Sequence, residues 1–383
     1  MVQNFNVSSR IMFGQGISKQ IGEITKSFEV KHVLLVYDKG VKDAGIVDGI
    51  KDSLEKAGLN ITEYDGVLPN PPDTIIEDAA ENAKKENVDA IVAVGGGSSI
   101  DAAKAINILL TNSSPITQYD GVNMVKNQTK PLIAIPTTSG TGSEVTEVTV
   151  ITNTTTVKKM IMVGKNIGPD VALVDPELTT GLPKSVTDST GMDALTHAIE
   201  AYVSPKASVM SSINALKAAE LVYNNLPKAS ADGSNMEARE NMLMGSMLAA
   251  LAFNSALLGL VHGIAHPLSA HCGLPHGVAN ATTLPYVMEF NAGVPKVQTK
   301  FKEIAAAIGL DVEGKSDKES SDLLIKAVKD LSKELGIPTL SEVGVTKDKF
   351  DVLAKDTLEE ASMLTNPRSA TKEDVLNILE IAY

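Results

Sequence analysis

Residues 90–101 read Ala90-Ile91-Val92-Ala93-Val94-Gly95-Gly96-Gly97-Ser98-Ser99-Ile100-Asp101. The opening run of small and β-branched apolar residues predicts a strand buried on both faces. Three glycines follow at once, and Ser98 opens a helical pattern that continues through Leu110. A buried strand, a glycine turn and a helix in that order make a phosphate cradle in physical terms. Backbone without side chains can approach a pyrophosphate, and the helix N-terminus offers unpaired N–H groups with a partial positive charge. The same residues also suit a plain tight turn, with Ser98 as N-cap and Asp101 in the capping-box position. In the usual dinucleotide fingerprint the glycine loop precedes the acidic ribose ligand. Here the acidic residue at a strand end, Asp38, comes first.

Outward from this stretch, strand and helix patterns alternate. Residues 33–37 are an apolar run ending at Asp38. Residues 41–57 have the spacing of one helix stopped by Gly58, residues 60–64 read as a weaker strand, and residues 73–86 as a polar helix. Residues 132–135 predict another buried strand, which runs into Pro136-Thr137-Thr138-Ser139-Gly140-Thr141-Gly142-Ser143. The small hydroxyl and glycine residues of that loop suit close contact with a sugar or phosphate. Short strands are predicted at 147–151, 159–163 and 171–174. This pattern implies an α/β domain with a parallel sheet covered on both faces. From about Ser185 only helical patterns remain: 188–202, 210–224, 236–258, 281–291, 297–308, 321–335 and 347–354. The expected organisation is an α/β dinucleotide-binding domain over 1–184 and an all-helical metal-binding domain over 185–383, with the site in the cleft between them.

Composition bounds the function classes. The 383 residues suit two or three domains, and 43% hydrophobic with 21% charged residues exclude a disordered or fibrous chain. The formal charge of −13, with no basic cluster, argues against nucleic acid or an anionic membrane surface as partner. A single cysteine, Cys272, excludes an intramolecular disulfide. The first residues lack a signal-peptide pattern, so the cytoplasm is the expected compartment. After Glu240 no Asp, Glu, Lys or Arg occurs until Glu289. The apolar start of this stretch is long enough to cross a bilayer, but Asn254, Ser255 and four histidines interrupt the uncharged region. Helices buried on all sides around a histidine cluster fit it better.

Five of the six histidines lie between 197 and 276. Asp193 and His197 are spaced i, i+4 in a helical pattern and face the same way, as do His262 and His266. His276 follows in a predicted turn, Leu274-Pro275-His276-Gly277. One aspartate with several histidines in apolar surroundings points to a divalent-metal site, and this donor set suits Fe(II), Zn, Mn or Co. The spacing leaves open which three or four are ligands.

These residues carry a resemblance to the iron-dependent (group III) alcohol dehydrogenases that covers essentially the whole chain. Its carriers are Gly95–Gly96–Gly97–Ser98–Ser99–Ile100–Asp101, the stretch from Ile135 to Glu144, the stretch from Thr190 to Glu200, and that from Gly259 to Leu268. Pro275-His276-Gly277 and Asn366-Pro367-Arg368 also match. The glycine triplet is shared with glycerol dehydrogenases and 3-dehydroquinate synthase, whereas the metal-region motifs are long and specific. The resemblance implies that Asp193, His197, His262 and His276 hold the metal, Fe(II) first and Zn or Mn as substitutes. It puts His266 beside the substrate and not among the ligands, where it could pass the substrate proton. It implies that Gly96, Gly97 and Ser98 cradle the pyrophosphate of NAD(H), and that Thr137 and Thr138 face the cofactor. Lys159 and Asn70 match further cofactor-side positions. Asp38 falls at the adenosine ribose, where a carboxylate accepts bonds from both hydroxyls and repels a 2′-phosphate, favouring NAD over NADP.

The reading that follows is an NAD(H)-dependent alcohol dehydrogenase or aldehyde reductase for a small, short-chain substrate. The metal serves as Lewis acid and the hydride passes to or from nicotinamide C4. A homodimer or larger homo-oligomer is expected. The rivals are a metal-dependent synthase or lyase like 3-dehydroquinate synthase, and a non-catalytic NAD- or metal-binding protein. The first needs a basic pocket, and residues 241–288 contain no Lys or Arg.

Overall fold

The computed structural model describes residues 5–383. Val7–Gly181 form one unit, and Leu182–Tyr383, together with Phe5 and Asn6, form the other.

The first unit contains β1 (Arg10–Phe13), α1 (Ile21–Lys26), β2 (His32–Asp38), α2 (Lys39–Asp43), α3 (Ile46–Lys56), β3 (Asn60–Val67), α4 (Asp73–Lys85), β4 (Ala90–Gly95), α5 (Gly97–Thr111), β5 (Gly121–Val122), β6 (Leu132–Pro136), β7 (Val148–Asn153), β8 (Lys158–Val163) and β9 (Val171–Val174). Six strands make a wholly parallel sheet in the order β1-β9-β6-β4-β2-β3. Alternation within the strands explains why both faces are covered. Leu34, Val36, Ile91 and Ala93 join a core with Ile76 of α4 and Ile100 of α5. Val33, Leu35, Val92 and Val94 point the other way, into a core with Ile21 of α1 and Ile50 and Leu54 of α3. Each of the buried valines, leucines and isoleucines contributes roughly 1.5–3 kcal/mol.

Three details differ from the sequence expectations. Residues 41–57 form two helices, because the Asp38 carboxylate accepts the Val41 N–H (3.2 Å) and starts α2 early; the chain then turns at Ala44-Gly45 before α3. The strands β7 and β8 stay out of the main sheet: they pair antiparallel and, with β5, make a separate three-stranded sheet. Ser98 is not the N-cap of α5. Gly96 is, and no side chain caps that helix. Asp101 does not reach back to Ser98 but accepts from Ser143 Oγ (2.5 Å) and the Val150 N–H (3.1 Å).

The second unit is helical: α6 (Lys184–Val203), α7 (Val209–Ala231), α8 (Met236–Ala256), α9 (Leu260–Cys272), α10 (His276–Asn291), α11 (Pro295–Ala307), α12 (Asp317–Leu335), α13 (Phe350–Glu359) and α14 (Lys372–Ile381). Two of these, α9 and α14, were not among the helical ranges read from the sequence. One core joins them, from Leu195 of α6 to Leu379 of α14. Gly191 through Ser204 of α6 and its end, and Leu260 through Ser269 of α9, are buried without interruption. Those stretches are buried on every side because other helices surround them. Among the described residues no single helix is long and apolar enough to cross a membrane; α8 and α9 reach that composition only together, and they are bent by 103°.

The bend falls at Leu257, whose φ of 62° and ψ of −177° lie in a region otherwise left to glycine. It is held from several sides. The Leu257 N–H donates to Phe253 O (2.8 Å), Ser204 Oγ donates to Ala256 O (2.6 Å), and Thr365 Oγ1 donates to Leu258 O (2.5 Å).

Candidate metal centre and dinucleotide cradle

In the α/β unit the chain runs from β2 out to β3, then back across β2 to β4 and onward to β6 and β9. The strand order therefore reverses between β2 and β4, and in open parallel sheets ligands bind beyond the strand ends at such a point. Asp38 ends β2, Gly95 ends β4, and Thr137 and Thr138 follow Pro136 at the end of β6. The parallel register puts these ends side by side. Asp38 Oδ2 accepts from Ser99 Oγ (2.8 Å), and Thr137 N–H donates to Gly95 O (3.0 Å). Gly95 has φ of 148°, and a side-chain carbon there would sit 2.5 Å from Ser99 Oγ and 3.1 Å from Asp38 Oδ2. Thr138 faces Gly96. Gly96, Gly97 and Ser98 thus form an uncapped helix start with Asp38 on one side and Thr138 on the other.

Lys159 and Asn70 come together as well. Lys159 Nζ donates to Asn70 Oδ1 (2.7 Å) and Thr152 Oγ1 (3.1 Å). Behind the hydroxyl-rich loop lies a buried polar network that the sequence did not announce. Lys104 Nζ donates to Ser143 Oγ (2.8 Å), Thr146 O (3.0 Å) and Val148 O (2.6 Å). Burial lowers its pKa to about 8 despite Asp101, and burial raises the neighbouring Glu144 carboxyl to about 7.

In the helical unit, α6 carries Asp193, His197 and Glu200 at i, i+4 and i+7, on one face. Helix α9 supplies His262 and α10 supplies His276. The close approach of α10 to α6 depends on Gly277, where a side-chain carbon would lie 2.7 Å from Ser189 O. Asp193, His197, His262 and His276 each offer a ligand atom, all within 4.8 Å of one another. Asp193 Oδ1 lies 3.7 Å from His197 Nε2 and 3.8 Å from Nε2 of His262 and of His276. His276 is not in a turn, as read from the sequence, but opens α10 directly after Pro275. Its side chain is 28% exposed, against 1% for His262 and 4% for His197, so the site opens on its side.

The chemistry of this donor set fits a divalent cation. A buried carboxylate is costly unless compensated, and neutral imidazoles do not compensate it alone. Burial and then the neighbouring imidazoles hold His262 well below the usual imidazole range, so it is neutral and its Nε2 lone pair is free to ligate. His262 Nδ1 lies 2.6 Å from Glu200 Oε2, while Glu200 Oε1 accepts the Val261 N–H (2.7 Å). A ligating His262 carries its proton on Nδ1, so Glu200 accepts it and fixes the ring. Asn280 Nδ2 touches the cluster from α10, 2.6 Å from Asp193 Oδ1.

His266 lies outside the ligand set. Its ring stacks on that of His276 at 5.5 Å and meets His262 edge-on at 6.0 Å. Its Nδ1 is 2.9 Å from Glu360 Oε2, just past the end of α13. His271 lies apart, 2.7 Å from Asp356 Oδ2, and burial raises the Cys272 thiol. Phe253 packs its ring 4.5 Å from that of His197. Asn366 and Arg368 work as fasteners: Asn366 Oδ1 accepts the Leu260 N–H that begins α9 (3.1 Å), and Arg368 Nη1 donates to Phe290 O of α10 (2.6 Å).

Sequence reasoning quoted Glu200 without a role and missed Asn280 and Glu360. For the first two a signal existed, one helical turn from His197 and from His276. Glu360 is 94 residues from His266, and only the packing of α13 on α9 pairs them.

This combination of a flavodoxin-like strand order, a helix-borne Asp-His₃ cluster and a dinucleotide-type cradle fits the class of metal-dependent enzymes that use a dinucleotide. The iron-containing alcohol dehydrogenase family model matches residues 8–176, and the C-terminal model of the Fe-containing alcohol dehydrogenase family matches residues 187–383. The chain belongs to the iron-containing alcohol dehydrogenase family. It is 38% identical over 380 residues to an NAD-dependent methanol dehydrogenase of Bacillus methanolicus, covering 99% of each chain. It is 41% identical over 375 residues to a 1,3-propanediol dehydrogenase of Citrobacter freundii, covering 97% of this chain and 96% of the relative. A crystal structure of 1,3-propanediol oxidoreductase superposes with a TM-score of 0.96 at 39% identity, covering all of both chains.

Proposed function

We propose that the chain is an NAD(H)-dependent dehydrogenase that interconverts a small, short-chain alcohol and its aldehyde, with Fe(II) as the working cation and Zn or Mn as substitutes. The observation that carries this reading is the gathering of one carboxylate and three imidazoles within 4.8 Å, with Glu200 behind His262. In this reading Asp193, His197, His262 and His276 are the ligands. A divalent cation held there would supply Lewis acidity to an alcohol or aldehyde oxygen, and bound NAD(H) would serve as hydride acceptor or donor. The helix start at Gly96, Gly97 and Ser98 binds the pyrophosphate. Thr137 and Thr138 line the cofactor, and Lys159 with Asn70 orients its far end. Asp38, braced by Ser99, accepts from the adenosine ribose hydroxyls. NAD as cofactor is supported by the name of the methanol dehydrogenase relative.

His266 moves the substrate proton in this reading. With Nδ1–H donated to Glu360, its Nε2 is the nitrogen left to receive a proton. His266→Ala should retain its metal and bind NADH, yet lose on the order of tenfold to a hundredfold in kcat. Metal analysis beside steady-state kinetics decides this, since loss of the metal would make His266 a ligand. We further propose a homodimer or larger homo-oligomer in the cytoplasm, which light scattering on the purified chain tests for its first half. The function itself is tested with a panel of short aldehydes and NADH on protein loaded separately with Fe(II), Zn and Mn. NADH should be consumed, fastest with Fe(II). Silence with every aldehyde in every metal form would leave only a binding protein.

A further inference from the structure

We infer that Asn280 is a positioning residue of the cation site, acting through Asp193; the inference rests on reading Asp193, His197, His262 and His276 as the ligands. Asn280 lies one turn beyond His276 on α10 and is fully buried. Its Nδ2 is 2.6 Å from Asp193 Oδ1 and 3.1 Å from Nε2 of both His262 and His276. An imidazole nitrogen that binds a cation has no lone pair left to accept a hydrogen bond, whereas a carboxylate oxygen keeps one. With the four ligand atoms on a cation, the donation that persists is from Asn280 Nδ2 to Asp193 Oδ1. That oxygen belongs to the one anionic ligand and is nearly equidistant from the three imidazole nitrogens. Asn280 therefore fixes the one carboxylate whose angle sets the geometry of the whole cluster.

The other end of the same amide gives an independent argument. Asn280 Oδ1 is buried and has no hydrogen-bond partner among the described residues. A buried carbonyl without a partner burdens the fold, and an apolar side chain of the same shape would remove the burden. A residue serving only the core would not be an asparagine here. The N–H side of the amide is the part with work to do.

The experiment uses the full chain with Asn280→Leu and Asn280→Ala. Each is stripped with a chelator and titrated with Co(II) and Zn(II) by calorimetry. The visible d–d band of the Co(II) form and the thermal melt of the stripped form are recorded beside wild type. Outer groups of this kind are worth roughly tenfold to a hundredfold in metal affinity. Both variants should bind the two cations that much more weakly, with a shifted Co(II) band, and stripped Asn280→Leu should melt no lower than wild type. Wild-type affinity and an unchanged band in a folded variant would overturn the inference. So would failure of both variants to fold, or a stripped Asn280→Leu that melts well below wild type, because either result makes the side chain structural. If the wild-type chain binds neither cation, the ligand reading itself fails and carries this inference with it.

Discussion

At the scale of single residues, the cluster of Asp193, His197, His262 and His276 depends on contacts from outside it. Glu200 sits three residues past His197, but its role depends on α9 bringing Nδ1 of His262 to 2.6 Å. Replacing it as Glu200→Gln keeps the shape and removes the carboxylate that attracts the ring proton. Metal affinity should fall about tenfold to a hundredfold, read by titration of the stripped protein. An affinity equal to wild type would reduce Glu200 to a buried hydrogen-bond acceptor. Asp38 offers a second residue-scale test. Its carboxylate is braced by Ser99 at 2.8 Å, so its charge stays at the end of β2. Asp38→Gly should lower the preference for NADH over NADPH by about tenfold or more in kcat/KM, the size of one lost repulsion of roughly 1.4 kcal/mol. If the wild-type enzyme uses both cofactors equally well, the ribose assignment is wrong.

At the scale of elements, the strands buried on both faces and the long helices follow their patterns, while the boundaries follow local hydrogen bonds. The N-cap of α5 is Gly96 and not Ser98, and the Asp101 carboxylate is engaged by Ser143 and Val150 instead of a capping box. Helix α10 starts five residues before its apolar periodicity shows, because Pro275 is its N-cap and His276 is already helical. Strand β1, four residues long, leaves too little pattern to find. The helical pattern over residues 236–258 overruns α8, which ends at Ala256 before the chain turns at Leu257. The backbone there is strained by about 1–3 kcal/mol, and Leu257 is 45% exposed, so little packing would be lost with its side chain. Glycine costs less than that in unfolded-chain entropy. Leu257→Gly should therefore raise the unfolding free energy by about 1 kcal/mol in urea melts. A lower midpoint would mean that the leucine contributes more by packing than the dihedral takes away.

At the scale of the whole molecule, the buried charges of the α/β unit tie stability to pH. Glu144 titrates at about 7 in the folded chain, because burial outweighs the nearby Lys104, and at the ordinary 4.5 when unfolded. The folded state binds that proton more tightly. Its contribution is complete below about pH 4.5 and is lost as pH rises through 7. Glu144→Gln stays neutral throughout. Its stability relative to wild type should grow between pH 5 and pH 8, by up to about 3 kcal/mol, with no further gain above that window. A gap that narrows as pH rises would show Glu144 to be ionised and paired in the fold.

The sheet has one more consequence, for the chain as it is being made. Among the described residues, strand β1 pairs only with β9, Arg10 against Val171. A ribosome adding about 5–20 residues per second needs roughly 8–30 s to cover the distance between them. Strands β2, β3, β4 and β6 have their own partners by then, but the first strand has none. Until β9 emerges the nascent polypeptide carries an orphan strand, and folding of this unit finishes by recovering its first strand.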